Sequence, residues 1–201
     1  MKAKKVLALV LCAALLVAGS VAATLAYLTS KTEVVTNTFS VGDVKITLDE
    51  AKVTEYGVKD GDSRVMKNTY KLIPGHNYLK DPTIHVKKGS EECWLFVRVE
   101  NGIADYEAVG NTTIAAQMAA KGWTEVAGKT GVYAYNAKVS AGANVEVFAS
   151  FTVAGNAVLT NADGSAKYSA NTPITVQAYA VQADNFGNAA AAYAAAPCTA
   201  W

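Results

Sequence analysis

The stretch that decides the fold is CWLFVRVEN, residues Cys93–Asn101. Cys93, Leu95, Val97 and Val99 alternate with Trp94, Phe96 and the aliphatic stem of Arg98, so both faces are apolar. A strand has a side-chain period of two, and one that is apolar on both faces must be covered on both faces. It is therefore expected at the centre of a layered β structure, closed by the Asn101-Gly102 turn signal.

Moving outward, other segments carry the same kind of signal. TIHV follows Pro82 as a strand, and TPITVQAYAVQA (Thr172–Ala183) alternates strictly, with Ile174, Val176, Ala178 and Ala180 facing one way. VYAY and NVEVFASFTV read as further strands, and Pro74-Gly75, Ala143-Asn144 and Asn161–Ser165 as turns. KDGDS (Lys59–Ser63) is also read as a turn. After Gly42 the apolar set shifts phase to Val44, Ile46 and Leu48, which predicts a bulge or kink at the glycine. Thr112–Trp123 reads as the one good internal helix, stopped by Gly122, and Asn188–Ala196 as a short helix ended by Pro197. Many short strands without a βαβ rhythm predict an all-β chain: an antiparallel β-sandwich with one or two short helices.

The N-terminus differs. Lys2, Lys4 and Lys5 precede an uncharged run from Val6 to Ala26, and Thr24 and Ala26 place small residues before Tyr27. This is a signal-peptide pattern with cleavage between Ala26 and Tyr27; a retained anchor is the competing reading. The expected division is 1–26 signal, 27–38 an N-terminal segment, and 39–201 the sandwich. The chain has 201 residues and a formal charge of +1, which argues against a nucleic-acid partner. Cleavage would remove three lysines and leave fifteen basic against seventeen acidic residues. Cys93 and Cys198 would remain, and outside the cell they are candidates for a disulfide, with a buried Cys93 and a loose Cys198 as the alternative.

Catalytic signals are sparse. The chain holds two histidines, His76 and His85, and no H-E-x-x-H. His76, after a turn, is expected to be exposed. The pair could share a metal across a hairpin, but two unrelated polar residues are the simpler reading. Glu91-Glu92 would point to opposite faces of a strand, and Asp60, Asp62 and Asp81 lack the rest of a calcium loop. No catalytic residue and no cofactor is expected, and the tryptophans fall mainly in core-like patterns.

One feature remains: β-branched residues begin almost at the cleavage point, in AYLTSKTEVVTNTFSVGDVKITL (Ala26–Leu48). Ala26-Tyr27-Leu28, then Asn37-Thr38-Phe39 and Gly42, resemble the TasA/camelysin family of exported Gram-positive proteins. KLIPG (Lys71–Gly75), WLFVRVEN (Trp94–Asn101) and YAVQADNF (Tyr179–Phe186) add to the likeness. The resemblance implies a jelly-roll-like form of the sandwich, processing by a SipW-type signal peptidase, secretion, and self-association into extracellular biofilm-matrix fibres. Membrane contact would come only through the uncleaved signal. It also implies that residues 27–38 add as a donor strand to a neighbouring subunit, anchored by Tyr27, Leu28, Val34 and Val35. Alternatives are a surface metalloprotease, as some members are described, and a monomeric surface adhesin.

Overall fold

The structure is a computed structural model that describes residues 3–15, 42–167 and 173–199. The chain divides into two units, Met1–Ser40 and Val41–Trp201. In the first, residues 3–15 form helix α1, whose Val6, Leu7, Leu9, Val10 and Leu11 are exposed. Among the described residues no helix is long and apolar enough to cross a membrane. The cleavage residues Thr24, Ala26 and Tyr27, and the donor anchors Tyr27, Leu28, Val34 and Val35, lie outside the described residues.

The second unit is an antiparallel β-sandwich. One sheet has the order β2-β1-β4-β8, from β1 (Ile46–Val53), β2 (Lys59–Val65), β4 (Thr83–Val86) and β8 (Asn144–Glu146). The other has the order β10-β5-β7-β6, from β5 (Cys93–Asn101), β6 (Trp123–Glu125), β7 (Val132–Tyr135) and β10 (Ile174–Gln182). A third pair joins β3 (Asn77–Leu79) to β9 (Ser150–Thr152). The register of β3–β9 continues that of β4–β8: Lys80 N–H donates to the Ala149 carbonyl, and Val147 N–H to that of Pro82. The two pairs are one long ladder interrupted near Pro82, whose ring nitrogen cannot donate.

The doubly apolar stretch Cys93–Asn101 sits where its pattern requires. Strand β5 lies between β10 and β7. Cys93, Leu95, Val97 and Val99 enter the main core between the sheets, with Ile84, Val86, Val145, Val147 and Phe151. Trp94 and Phe96 enter a second cluster on the outer face, beneath helix α3 (Ala189–Ala195), with Val181, Ala192 and Tyr193. Tyr78 has no exposed surface, stacks on Phe151 at 4.8 Å between centroids, and donates its hydroxyl to the Lys71 carbonyl. Full burial of one such side chain stabilises by roughly 1.5–3 kcal/mol.

Helix α2 (Ile114–Ala120) starts at Thr113, whose hydroxyl accepts from Ala116 N–H, and buries Ile114 and Met118. Its Gln117 joins helix to sheet, donating to the Thr112 and Ser150 carbonyls and accepting from the Ala149 and Ser150 amides. Gly122 ends it with φ of +90°, as its position in the sequence predicted.

Three expectations need correction. KDGDS is not a turn: it lies in β2. The reversal falls earlier, where Thr54 N–H donates to the Val58 carbonyl, and Gly57 N–H to that of Thr54. Gly57 has φ of +72°, and a Cβ there would come within 2.7 Å of the Tyr78 Cα, so tertiary contact fixes the turn there. Second, residues 42–45 precede the strand, and the break in β1 pairing lies between Ala51 and Val53. Third, His76 and His85 do not face each other across a hairpin, because both lie on the strand direction of the long β3–β4 ladder. Nine positions apart, they are separated on the order of 30 Å at ~3.3 Å per residue.

Candidate functional site

Sheet edges are where a β protein meets other chains, and four edge strands bound the two main sheets. Strand β2 is charged, with Lys59, Asp60, Asp62 and Arg64. Strands β8 and β6 have three residues each, too short to template much pairing. All three are protected in familiar ways. Strand β10 is different: nine residues, ITVQAYAVQ, with no charge.

The pairing register shows which backbone groups β10 leaves bare. Val99 N–H donates to the Gly131 carbonyl and Cys93 N–H to that of Val139, so the odd-numbered residues of β5 face β7. Its even-numbered residues face β10. Ala183 N–H reaches the Glu92 carbonyl, and Gly102 N–H that of Pro173, so the odd-numbered residues of β10 face β5. The N–H and C=O of Ile174, Val176, Ala178, Ala180 and Gln182 therefore point away from the sheet. Among the described residues no strand pairs with that edge.

Among the described residues β1 also lacks a neighbour over a shorter length. Its Ile46–Asp49 half pairs with β4, and β2 pairs from Glu50 onward. Lys87 N–H donates to the Lys45 carbonyl, which places the odd residues toward β4 and leaves the backbone of Ile46 and Leu48 facing the other way. The side chains of Ile46, Leu48, Ile174 and Val176 belong to the main core yet are only half-buried.

Between these margins lies a slot of about 850 Å³ lined by Leu48, Glu50, Met66, Tyr70, Leu72, Phe151, Ile174 and Val176, among others. Met66 is 80% exposed at its mouth. One wall is polar. Lys80 lines the slot at 9% exposure and donates to Glu50 Oε2 at 2.6 Å; Glu50 is 6% exposed, and its Oε1 accepts from Asn68. The ammonium lies 5.9 Å from the centre of the Tyr70 ring. Burial, with the Glu50 charge behind it, pushes the Tyr70 hydroxyl far above its ordinary range, so it stays protonated and donates to the Leu79 carbonyl.

A charged lattice borders the slot. Arg64 binds the Asp49 carboxylate and, at 2.9 Å, that of Asp81, whose other oxygen accepts from Ala51 N–H. His85 contacts Asp49 at 2.8 Å and the Asn144 side chain at 2.7 Å. Burial pulls the Asp49 carboxyl upward, but the hydrogen bonds and charges of Arg64 and His85 outweigh it and hold it below the usual range. His85 is thus a tie between β1, β4 and β8. His76, half-buried and not exposed as expected, contacts the Tyr56 carbonyl through Nε2 and packs edge-on to Tyr78. Asp60 pairs with Lys52 and Asp62 with Lys59. Among the described residues no group of three or more His, Cys, Asp or Glu is gathered to hold a metal.

Cys93 and Cys198 are both free and not joined to each other. Cys93 is buried, its Sγ 3.7 Å from the Val139 carbonyl; burial and the Glu92 charge push its thiol up to about 11. Cys198 is half-exposed beyond α3.

The strict alternation of residues 174–182 was readable in the sequence; that β10 is an edge strand with no partner on its far side among the described residues was not. The absence of charge on that strand was the available signal. No protein-family model matches the chain, and no curated protein or solved structure matches it either.

Proposed function

We propose that the chain is an exported structural subunit of the TasA/camelysin kind, which polymerises by strand donation into extracellular fibres. One observation carries the reading: the only long, uncharged edge among the described strands, β10, flanks a half-covered core. An added strand would meet both needs. Its backbone would pair with the bare groups of β10, each bond contributing roughly 0.5–1.5 kcal/mol, and its inward side chains would fill the slot.

The occupant is residues 27–38 of a second copy, freed by cleavage after Ala26. Twelve residues extend to roughly 40 Å, enough to run the length of β10 at ~3.3 Å per residue. Side chains alternate, so only one of two sets enters the slot: Leu28 with Val34, or Tyr27 with Val35. Donation from one copy to the next is head-to-tail and produces an open filament. The engaged or core-bound state of both histidines gives the metalloprotease alternative no support.

The test is electron microscopy of the cleaved protein, residues 27–201, after concentration. Filaments are expected, and deletion of Tyr27–Thr36 should leave a soluble monomer. Filaments from the deletion variant, or a cleaved chain that stays monodisperse at every concentration, would overturn the proposal.

A further inference from the structure

Two lysines line the slot, the exposed Lys67 and the buried Lys80, and the strand proposed to fill it has two unlike faces. Lys80 is nine-tenths buried in the slot wall, yet of its three N–H donors one has an acceptor among the described residues, Glu50 Oε2. A strand laid across the slot would remove the remaining water. A buried ammonium with spare donors is costly unless the incoming chain supplies acceptors.

Residues 27–38 offer two choices. One face carries Leu28, Ser30, Thr32, Val34, Thr36 and Thr38, which is uncharged and rich in hydroxyls. The other carries Lys31 and Glu33. Turned inward, the second face would bury two further charges, Lys31 and Glu33, beside the Lys80–Glu50 pair, at a desolvation cost that the uncharged face avoids. The first face brings apolar anchors for Leu48, Ile174 and Val176 and hydroxyl oxygens for the ammonium.

We propose that Lys80 is the specificity-determining residue of the slot: it selects the hydroxyl-bearing face of the incoming strand and rejects a strand that is apolar throughout. The proposal rests on the strand-donation reading. It gives the uncharged edge a filter, since hydrophobic segments of unrelated chains would strand the Lys80 donors without acceptors.

The experiment uses the mature chain, residues 27–201, at concentrations where it is monomeric, and a fluorescein-labelled peptide of residues 27–38 followed by anisotropy. Three peptides are compared: the native one, one with Ser30→Ala and Thr32→Val, and one with Lys31→Thr and Glu33→Thr. A hydrogen bond to a charged group predicts about tenfold weaker binding for the hydroxyl-stripped peptide and unchanged binding for the peptide altered on its charged face. In the double variant Lys80→Met, Glu50→Gln, which leaves no lone buried charge, the native and hydroxyl-stripped peptides should bind equally. A preference that persists in the double variant, or weakening by the charged-face changes instead, would overturn the role of Lys80 while leaving strand donation standing. If no peptide binds the wild-type chain and no filament forms, strand donation itself fails. Circular dichroism of the double variant checks that it folds; if it does not, the three-peptide comparison on the wild-type chain decides.

Discussion

Adjacent residues of β10 should respond in opposite ways to the same substitution. Gln177 and Ala178 are neighbours, but the register points the Gln177 N–H at β5, opposite Arg98, and the Ala178 N–H at the bare edge. Proline removes the N–H and fills its place with ring carbons. At Gln177 this deletes a ladder bond from the pair that contributes most of the sheet, and leaves the facing carbonyl of β5 buried without a donor. The lost bond, the unpaired acceptor and the ring's collision together predict a loss of about 3 kcal/mol, a large part of the 5–15 kcal/mol typical of a domain. At Ala178 no internal bond is lost, and an edge strand tolerates proline, so the loss should stay below about 1 kcal/mol. Urea denaturation followed by tryptophan fluorescence measures both. Filament growth should reverse the order of importance: Ala178→Pro blocks the edge and abolishes growth in a protein that is still well folded. Equal destabilisation by the two prolines, or undiminished growth of Ala178→Pro, would refute the assignment of the edge.

Other perturbations test the packing and the charges. Met118→Ala removes a side chain that is 1% exposed and should cost about 2–5 kcal/mol, read as a lower thermal midpoint. Asp49 has a folded-state pKa below its unfolded value, so its stabilisation is present above pH ~4 and is lost as pH falls through the folded value. The gap in urea midpoint between wild type and Asp49→Asn should therefore be widest near pH 7 and shrink progressively once the pH falls below about 4. In the mature chain at pH 8, a thiol reagent should modify half-exposed Cys198 within minutes and Cys93 only on unfolding.

The parts of the fold that were legible in the sequence are those where local pattern and tertiary environment agree. Cys93–Asn101 is apolar on both faces, and nothing but a covered central strand satisfies it. Thr113 and Gly122 bracket α2 with groups whose chemistry suits helix ends and little else. The failures come from contacts remote in sequence. Lys59–Ser63 has the composition of a turn, but Gly57 is pressed against Tyr78 and takes the reversal first, leaving the charged residues to form an edge strand. The metal-sharing alternative for His76 and His85 needs a turn between them, whereas Pro82 merely interrupts a continuous ladder. The site was the least legible part. A sequence shows that a strand alternates but not whether a neighbour lies on each side, and the burial of Glu50 with Lys80 joins positions thirty residues apart.

The divided pairing of β1 has a mechanical corollary. Its first half is bonded to β4 and its second half to β2, on opposite sides. Tension applied at residue 42 along the axis of that strand would have to shear both sets of bonds together, since neither neighbour can peel away one bond at a time. A pull entering there should therefore release β1 in a single step and not bond by bond.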